Sequence, residues 1–392
     1  TATVRTPSMT VRPDSTFHAS PKLAMQAHWH KKLYEVADEL LAGVEQNGVR
    51  VPAVLGGRPV PFIPKYAEAV AVLEEAIADA PEDELDCLRQ AEAIAAAAQK
   101  HHYEPVLLPI ALDLDSTGAK LRALKPSVVF NIVETIAGRG SLIYLACALL
   151  DYLQIPYTGC PTEAMFITSN KPLAKKMMRR AGIATPDWLE QDGSFFQETQ
   201  AEKYIIKSSW EHASIGLDET SIIKYTNTAE TLAQMNGRRA KLGGACFAEA
   251  FIDGREFNVG LIAEKGRARV LPVAEMLFQD YAPDKPKLAD YRAKWVADSF
   301  EYNNTIRKYD FASTDTPLIE SLREISLRCW QLFGLRGYAR VDFRVDSSNK
   351  PWVLEVNANP CISPDAGFAA ALTEAGIDYH EAIGLILEDA MK

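Results

Sequence analysis

The sequence has no closely spaced cysteine pair and no cluster of metal-binding histidines. Its 392 residues contain six cysteines, at positions 87, 147, 160, 246, 329 and 361, and none belongs to a CxxC motif. His28 and His30 flank Trp29, but no second group of ligands accompanies them. These absences exclude the usual zinc-ribbon and dithiol-redox patterns. We expect reduced thiols, as in a cytoplasmic protein.

Long apolar runs and an excess of basic residues are also missing. No run is long enough to span a bilayer, and residues 1–30 lack the apolar centre of a signal peptide. We therefore expect no membrane partner and a cytoplasmic location. The net charge of −10 argues against nucleic acid as a partner, but it leaves room for local basic pockets that bind phosphate.

The first 65 residues are predicted to form an N-terminal arm and a helical extension. Residues 1–20 are rich in Thr, Ser and Pro, which is typical of a surface arm. Residues 21–46 have apolar side chains at helical spacing. Gly56-Gly57 is followed by several prolines and by no helix at the right distance, so we interpret it as a turn and not as a nucleotide loop.

Strands and helices alternate in the next hundred residues. Strand-like stretches lie at 69–73, 104–110 and 128–132. A helical pattern at 85–100 separates the first two, and a second helical pattern at 141–153 follows the third strand. This alternation predicts a parallel sheet with helices on both faces. Ligands bind at the carboxyl ends of such strands, where Asn131 and Glu134 lie.

A basic helix and a small-residue loop come next. The helix is predicted at 172–181, and we expect most of its basic side chains to lie on a solvated face: Lys171, Lys175, Lys176, Arg179 and Arg180. The strand 204–207 ends in Lys207, and the Ser/Gly-containing loop 208–216 offers backbone N–H groups that can bind phosphate.

A hairpin and a polar segment follow the loop. The hairpin at 247–262 places Glu249 among apolar residues, where a carboxylate needs a hydrogen-bond partner, such as an amino or hydroxyl group of a ligand. Residues 280–294 are polar, contain two prolines and carry Lys294. We expect a mobile loop with one useful lysine.

The last hairpin, at 337–364, concentrates the polar residues that suggest chemistry. Two strands, 340–345 and 352–356, are joined by turn residues at 346–350. Pairing them can bring Asp342, Glu355 and Asn357 side by side as a hard oxygen site for Mg²⁺, with Arg340 as a fixed positive charge beside it. The alternative is a solvated polar face without a function.

Ten motifs in order resemble the ATP-grasp superfamily, and within it the D-alanine–D-alanine ligase-like branch. The resemblance covers about residues 67–392. The motifs are FNIVE (130–134), IPYTG (155–159), NK (170–171), GIATP (182–186), YIIK (204–207), EHASIG (211–216), EAFIDGRE (249–256), DYRAKW (290–295), GYARVDF (337–343) and LEVNANP (354–360).

The resemblance implies a three-part α/β fold with ATP between the last two parts. We expect an N-terminal parallel α/β substrate domain at 66–165, a small central α+β subdomain at 166–252 and a C-terminal α+β subdomain at 253–392. Matched to the motifs of the family, the following residues are expected to contact ATP or to close over it: Lys171, Lys207 and Lys294 at the phosphates, Ser214 and Gly216 in the closing loop, Glu249 and Ile252 at the adenine hinge, and Glu256 at the ribose.

The resemblance also implies a reaction centre on the last hairpin. Asp342, Glu355 and Asn357 match magnesium ligands, a site that Mn²⁺ can also occupy, and Arg340 matches the arginine that steadies an acyl phosphate. The implied activity joins a small carboxylate to a small amine through an acyl phosphate, with release of ADP and phosphate. A lid around 280–295 would exclude water. A homodimer is expected from the family.

Three positions depart from the peptidoglycan ligases. Cys361 follows Pro360 where those ligases have glycine, and Ala366-Gly367 replaces a Ser-Leu pair near the second-substrate pocket, so we expect an amine other than D-alanine. Glu134 replaces a histidine, and it either binds an ammonium group or caps a helix at the surface. Cys361 is interpreted as a packing residue and not as a nucleophile. The alternatives are a true D-alanine–D-alanine ligase and a decayed ATP-binding module.

Overall fold

The computed structural model describes residues 54–55, 58–59, 68–73, 82–196 and 201–392. The chain divides into Thr1–Phe62 and Ile63–Lys392, and the described part of the first unit is an antiparallel pair of β1 (Val54–Leu55) and β2 (Arg58–Pro59). The predicted arm at 1–20, helix at 21–46 and turn at 56–57 lie outside the described residues. Within the described ranges, no helix combines the length and apolar content that a bilayer span requires.

The second unit begins with the predicted parallel sheet. Its central strand pairs in parallel with the other two strands, which confirms the pattern of alternating strands and helices. The elements in chain order are β3 (Glu68–Leu73), α1 (Glu82–Lys100), β4 (Glu104–Pro109), α2 (Leu114–Leu124), β5 (Val128–Asn131) and α3 (Tyr144–Leu153), with β3 at the centre.

Helix α2 was not expected from the sequence. Its first turn contains Ser116 and Thr117, followed by Gly118, all weak helix formers. The side chain of Asp113 stabilises this start, because its Oδ1 accepts a hydrogen bond from the backbone N–H of Ser116 at 3.1 Å. Lys125 ends the helix in the left-handed conformation.

A five-stranded antiparallel sheet forms the middle of the chain. The strand order is β7-β6-β10-β8-β9, so β8 and β10, which carry Lys207 and Glu249, are neighbours. The elements in chain order are α4 (Thr162–Ser169), α5 (Lys171–Arg180), β6 (Trp188–Leu189), β7 (Phe195–Phe196), β8 (Lys203–Ser208), β9 (Ile222–Lys224), α6 (Thr228–Arg238) and β10 (Cys246–Ala250).

The last part is a six-stranded antiparallel sheet with helices. The strand order is β14-β13-β11-β15-β16, and β12 also pairs with β11. The elements are β11 (Arg255–Glu264), β12 (Arg267–Val270), β13 (Ala274–Phe278), α7 (Tyr291–Trp295), α8 (Phe300–Asn304), β14 (Thr305–Lys308), α9 (Thr316–Leu332), β15 (Tyr338–Val345), β16 (Pro351–Asn357), α10 (Gly367–Glu374) and α11 (Tyr379–Ala390).

Strand β15 separates the core from the polar site by simple alternation. Val341, Phe343 and Val345 are almost fully buried in the largest apolar cluster. Burial of each such side chain contributes about 1.5–3 kcal/mol. Because side chains alternate along a strand, the intervening Arg340 and Asp342 point to the other face, where they line a cavity. Burial of the hydrophobic face of β15 therefore ensures that Arg340 and Asp342 face the cavity.

Candidate active site

The hairpin of β15 and β16 brings the predicted metal-site residues together. Asp342 lies opposite Glu355, and Arg340 lies opposite Asn357. Residues directly opposite each other in an antiparallel pair project to the same face. All four side chains line one cavity. The pairing expected from the sequence is thus confirmed, while the roles of the four residues remain predictions.

The chemistry of these groups fits a hard divalent cation. Both oxygens of Asp342 accept hydrogen bonds from the Arg340 guanidinium, at 2.7 and 2.8 Å, and Oδ1 also accepts one from Asn258 Nδ2 at 2.8 Å. These bonds hold the carboxylate in one orientation. Asn357 Oδ1 accepts from the backbone N–H of Asn359 at 2.9 Å, which orients the amide. Two carboxylates and an amide oxygen are ligands that Mg²⁺ accepts when phosphate and water complete the shell.

Positive charge dominates the surroundings of Glu355. Burial by itself would raise the pKa of this carboxyl, but the charge of Lys171 and of the neighbouring cations outweighs burial and holds the pKa well below its usual range. Lys171 Nζ lies 3.6 Å from Glu355 Oε2 and donates to the backbone carbonyl of Glu211 at 2.7 Å. Burial lowers the pKa of Lys171. A carboxylate kept ionised beside a buried lysine is ready to bind a cation or to orient a phosphate-binding lysine.

The expectation of a solvated basic face on helix α5 is wrong for Lys171 and Lys175, whereas Lys176, Arg179 and Arg180 remain partly or fully exposed. Lys171 is only 7% exposed and Lys175 is fully buried. Lys175 Nζ lies 2.7 Å from Glu249 Oε2, and Lys207 Nζ lies 2.5 Å from Glu249 Oε1. Glu249 is therefore paired with two lysines of the protein, and the expected ligand amino or hydroxyl group is not needed to balance its charge. The helix turns inward because Glu249, on β10, supplies the countercharge.

The loop 208–216 is fixed by backbone geometry and by its neighbours. Ser214 is in the left-handed conformation, and Gly216 has φ +72°, with the carbonyl oxygen of Lys241 only 2.8 Å from where a Cβ would lie. Gly216 is thus required at this position. Ser214 Oγ donates to the carbonyl of Ala289 at 3.0 Å, so the loop contacts the segment predicted to be a lid.

The segment 280–294 is not wholly a loop, because it runs into the short helix α7. Asp290 caps this helix by accepting from the backbone N–H of Ala293 at 3.0 Å. The cap positions Lys294, which lines both cavities of the site. Burial, with Arg340 nearby, lowers the pKa of Lys294. Trp295 Nε1 donates to the carbonyl of Ala213 at 3.0 Å and joins α7 to the loop 208–216.

The first of the two cavities lies between the central and C-terminal sheets, and we call it the nucleotide cleft after the ligand that the sequence resemblance implies. Glu256 lies in this cleft with its Oε2 2.9 Å from Arg344 Nη2, and Arg344 is 3% exposed. The structure gathers here most of the residues assigned to ATP by resemblance: Lys171, Lys207, Ser214, Glu249, Ile252, Glu256 and Lys294, with Ile205 and Leu354 as apolar lining. Gly216 belongs to the same loop but does not line the cleft.

The second cavity, which we call the substrate cavity, has a volume of about 790 Å³. Glu134 lines it and is half-buried. Cys361 Sγ donates to Asp86 Oδ2 at 3.0 Å, and burial together with Glu134 and Asp86 raises the pKa of the thiol well above its ordinary value. A thiol held protonated in this way is a poor nucleophile, in keeping with the interpretation of Cys361 as a packing residue.

Small residues at the second-substrate region make room for an arginine. A Cβ on Gly367 would lie 3.0 Å from Arg307 Nε, so the guanidinium occupies space that a larger side chain would fill. Arg307, Ala366 and Gly367 all line the substrate cavity. Arg307 therefore adds a positive charge to the cavity wall beside Ala366 and Gly367.

Sequence reasoning missed several residues that complete the site. His212 lines the substrate cavity, and burial, followed by the charge of Lys171, lowers the pKa of its imidazole to about 3. Asn258 reaches Asp342 from the neighbouring strand β11. His212 lies within the EHASIG motif, which was a usable signal, whereas Asn258 depends on a strand pairing over 84 positions that no local pattern predicts.

Comparisons with known proteins agree with this architecture. The family model described as D-ala D-ala ligase C-terminus matches residues 177–388. A D-alanine–D-alanine ligase of Aquifex aeolicus is 30% identical over 304 residues, which are 76% of this chain and 94% of that protein. One from Methylococcus capsulatus is 33% identical over 264 residues, 66% of this chain and 77% of that protein.

Solved structures resemble the fold as well. The D-alanine–D-alanine ligase of Bacillus anthracis complexed with ATP superimposes with a TM-score of 0.61 at 20% sequence identity, over 83% of this chain and 98% of that one. The fold is that of the ATP-grasp enzymes, as expected from the motifs. The molecule is an ATP-dependent ligase that forms carbon–nitrogen bonds. The chain belongs to the D-alanine–D-alanine ligase family.

Proposed function

We propose that this ligase activates the carboxylate of one small amino-acid-like substrate as an acyl phosphate in the substrate cavity and joins it to the amine of a second. The observation that supports this most directly is the position of Lys294, Asp342 and Glu355, which line both the nucleotide cleft and the substrate cavity. A phosphoryl group that passes from one cavity to the other must cross this boundary.

The lysines of the cleft bind and orient ATP. Lys171 and Lys207 approach the phosphates from helix α5 and strand β8, and Lys294 approaches from α7. Three ammonium groups around a transferring phosphoryl group offset its negative charge. The loop 208–216, with Ser214, would cover the phosphates through its backbone N–H groups. The adenine and ribose would lie towards Ile252 and Glu256.

Asp342, Glu355 and Asn357 would hold Mg²⁺, which supplies charge neutralisation at the phosphates when it is bound. Arg340 is fixed by two hydrogen bonds to Asp342, and its guanidinium faces the substrate cavity. From there it can stabilise the negative charge that develops on the carbonyl oxygen when the amine attacks. Closure of the segment 280–295 over the cavity would exclude water from the acyl phosphate.

The substrate cavity sets the identity of the two substrates. The curated relatives named above are D-alanine–D-alanine ligases, which supports amino-acid-like substrates for this chain. Glu134 supplies a carboxylate suited to an ammonium group, and Arg307 supplies a guanidinium suited to a carboxylate. Because Gly367 and Cys361 alter the wall near the second substrate, we propose an attacking amine other than D-alanine.

The proposal extends to three properties that rest on the family resemblance. These are a homodimeric assembly, a cytoplasmic location, and a division of the second unit into parts at residues 66–165, 166–252 and 253–392. Light scattering coupled to size exclusion would test the dimer directly. A mass equal to one chain, 43.3 kDa, would remove it from the proposal.

The test is phosphate release from MgATP against a matrix of paired D- and L-amino acids and small carboxylates. Mass spectrometry on each active pair identifies the product. We expect release that requires two partners and a product mass equal to their sum minus water. The D-alanine pair belongs in the matrix, because activity with that pair alone would show a true D-alanine–D-alanine ligase and contradict the proposed change of amine.

Omitting the metal separates its role from that of ATP. With EDTA in place of Mg²⁺, turnover should fall to background and return with Mg²⁺ or Mn²⁺. If every pair in the matrix fails to release phosphate while MgATP still binds, the proposed substrate class is wrong, and the molecule either uses an unusual substrate or is an ATP-binding module.

A further inference from the structure

Lys175 is a buried ammonium group to which the reaction described above gives no task. It lies one turn after Lys171 on helix α5, on the same face, and its side chain is 0% exposed. Taking a lysine fully out of water is unfavourable unless its charge is balanced. The groups around Lys175 must therefore balance its charge.

The charge of Lys175 is shared with a nucleotide-binding lysine through one carboxylate. Glu249, only 1% exposed, has Lys175 Nζ 2.7 Å from Oε2 and Lys207 Nζ 2.5 Å from Oε1. We call Lys175, Glu249 and Lys207 the lysine–glutamate cluster. Two ammonium groups and one carboxylate leave it with a net charge of +1. Lys207 is its most exposed member, at 14%, and lines the nucleotide cleft.

The cluster is also attached to the strand that carries the predicted metal ligands. Lys175 Nζ donates to Thr185 Oγ1 at 2.5 Å, and Thr185 Oγ1 donates to the backbone carbonyl of Val353 at 2.8 Å. The backbone N–H of Val353 in turn donates to the carbonyl of Ala184 at 2.9 Å. Val353 is two residues before Glu355 on β16. Lys175 thus contacts groups that join the central sheet to the C-terminal sheet.

We propose that Lys175 is a positioning residue for ATP: it occupies one oxygen of Glu249 so that Lys207, held on the other oxygen, keeps positive charge available for the phosphates. If Glu249 faced Lys207 alone, the pair would be neutral and the ammonium group would be bound to a full carboxylate. With Lys175 present, the same carboxylate is shared, and the cluster presents a net positive charge at the edge of the cleft.

This inference rests on the proposed role of Lys207 at the phosphates, but not on the identity of the amino-acid substrates. ATP binding can be measured without turnover, so failure of the substrate assignment leaves the test intact. If the unaltered protein does not bind ATP, the proposed function is contradicted. The comparison between variants tests the role of Lys175.

The experiment compares ATP dissociation constants by isothermal titration calorimetry for the unaltered chain, Lys175→Met, Glu249→Gln and the double variant Lys175→Met/Glu249→Gln. Methionine matches the shape of the lysine stem and removes its charge. We expect Lys175→Met to weaken ATP binding about tenfold, the size of one charge-assisted hydrogen bond. The double variant restores the net charge of +1. It should bind ATP more tightly than Lys175→Met and within about threefold of Glu249→Gln alone, a reference that accounts for the assigned contact of Glu249 at the adenine hinge.

Lys176→Met is the matched control. Lys176 is the next residue on the helix, is 38% exposed and pairs with Glu190 outside the cleft. It should leave ATP binding unchanged. Thermal unfolding of each variant shows whether the fold is kept, and the double variant remains informative if Lys175→Met alone is too unstable to assay.

Two results would overturn the proposal. One is an ATP dissociation constant for Lys175→Met equal to that of Lys176→Met. The other is weakened binding that Glu249→Gln does not recover in the double variant, because a purely packing role for Lys175 would not respond to the charge of Glu249.

Discussion

The nucleotide cleft and the substrate cavity share Lys294, Asp342 and Glu355, but they differ in how charge is distributed. In the cleft, lysines are held by protein groups in fixed pairs, such as Lys207 on Glu249. In the cavity, carboxylates and arginines line one space of about 790 Å³. Fixed cations suit one invariant ligand, ATP, whereas mixed charges suit substrates with an ammonium and a carboxylate. Under the proposed function, substrate choice depends on the residues of the substrate cavity, and phosphoryl transfer depends on the three shared residues.

The largest effect is expected at that boundary. Asp342→Asn removes a carboxylate from the predicted metal site and should lower kcat by about 10²–10³-fold or more, with only a small change in ATP affinity. Phosphate release and calorimetry measure the two quantities. Asp346→Asn, in the turn of the same hairpin, is the control and should keep full activity. Equal activity of both variants would remove the metal assignment.

Lys294→Ala tests whether the lysine of α7 acts during transfer or only in binding. Because Lys294 faces both cavities, we expect kcat to fall about 10–100-fold, while the ATP dissociation constant changes less than threefold. Lys287→Ala, exposed on the same segment, should behave as the unaltered chain. A dissociation constant that rises as much as kcat falls would place Lys294 in the cleft alone and contradict the lid assignment.

Glu134→Gln tests whether Glu134 acts in the substrate cavity and not in the nucleotide cleft. Loss of this carboxylate should raise the KM of an ammonium-bearing substrate about five- to tenfold, the size of a lost charge-assisted hydrogen bond, and leave the KM of ATP unchanged. Steady-state kinetics with each substrate varied in turn gives both values. Glu163→Gln, exposed on helix α4, is the control. A change confined to the KM of ATP would show that Glu134 does not serve the substrate cavity.

The smallest effect is a pH dependence of ATP capture. Burial, together with the charges of Lys207 and Arg179 and against the opposing effect of Glu249, lowers the pKa of Lys175 to about 8. As pH rises through this value, the lysine–glutamate cluster loses its net charge of +1. The kcat/KM for ATP should therefore fall severalfold between pH 7 and 9 in the unaltered chain, and Lys175→Met should lack this step.

The sign of the linkage separates this effect from unfolding. The folded pKa of Lys175 is below its ordinary value of 10.5, so between about pH 8 and 10.5 the unfolded chain binds more protons at this residue. Its contribution to stability therefore increases as pH rises through this window. A fall in kcat/KM above pH 8 together with a melting temperature that does not fall supports the charge argument, and a parallel loss of the fold would contradict it.

Local patterns predicted the parts of the molecule in which neighbours along the chain decide the structure. The hairpin of β15 and β16 is an example, because alternation along both strands and turn residues between them fix which side chains face the cavity. The motifs supplied the order of the remaining ATP-grasp elements. Helix α2 was missed because Gly118 and its neighbours favour helix weakly, and the Asp113 cap helps to compensate for this.

Long-range contacts account for what the sequence could not predict. Lys175 lies in a run of basic residues that is typical of an exposed helix face. Its burial depends on Glu249, which is 74 positions later in the sequence (249 − 175). Likewise, Arg307 fills space beside Gly367 that becomes apparent only when β14 and α10 are placed together. Charges are hard to assign from sequence because the partner that makes burial favourable is on another element.

The hydrogen bond from Trp295 to the carbonyl of Ala213 gives the molecule an optical reporter. The indole lies against the substrate cavity and is joined to the loop beside the nucleotide cleft, so we expect its emission to respond to the occupancy of both. Stopped-flow fluorescence on unlabelled protein, with Trp295→Phe to identify the signal, would follow ligand entry in real time. The intrinsic fluorescence of Trp295 would then report the order in which nucleotide, carboxylate and amine bind.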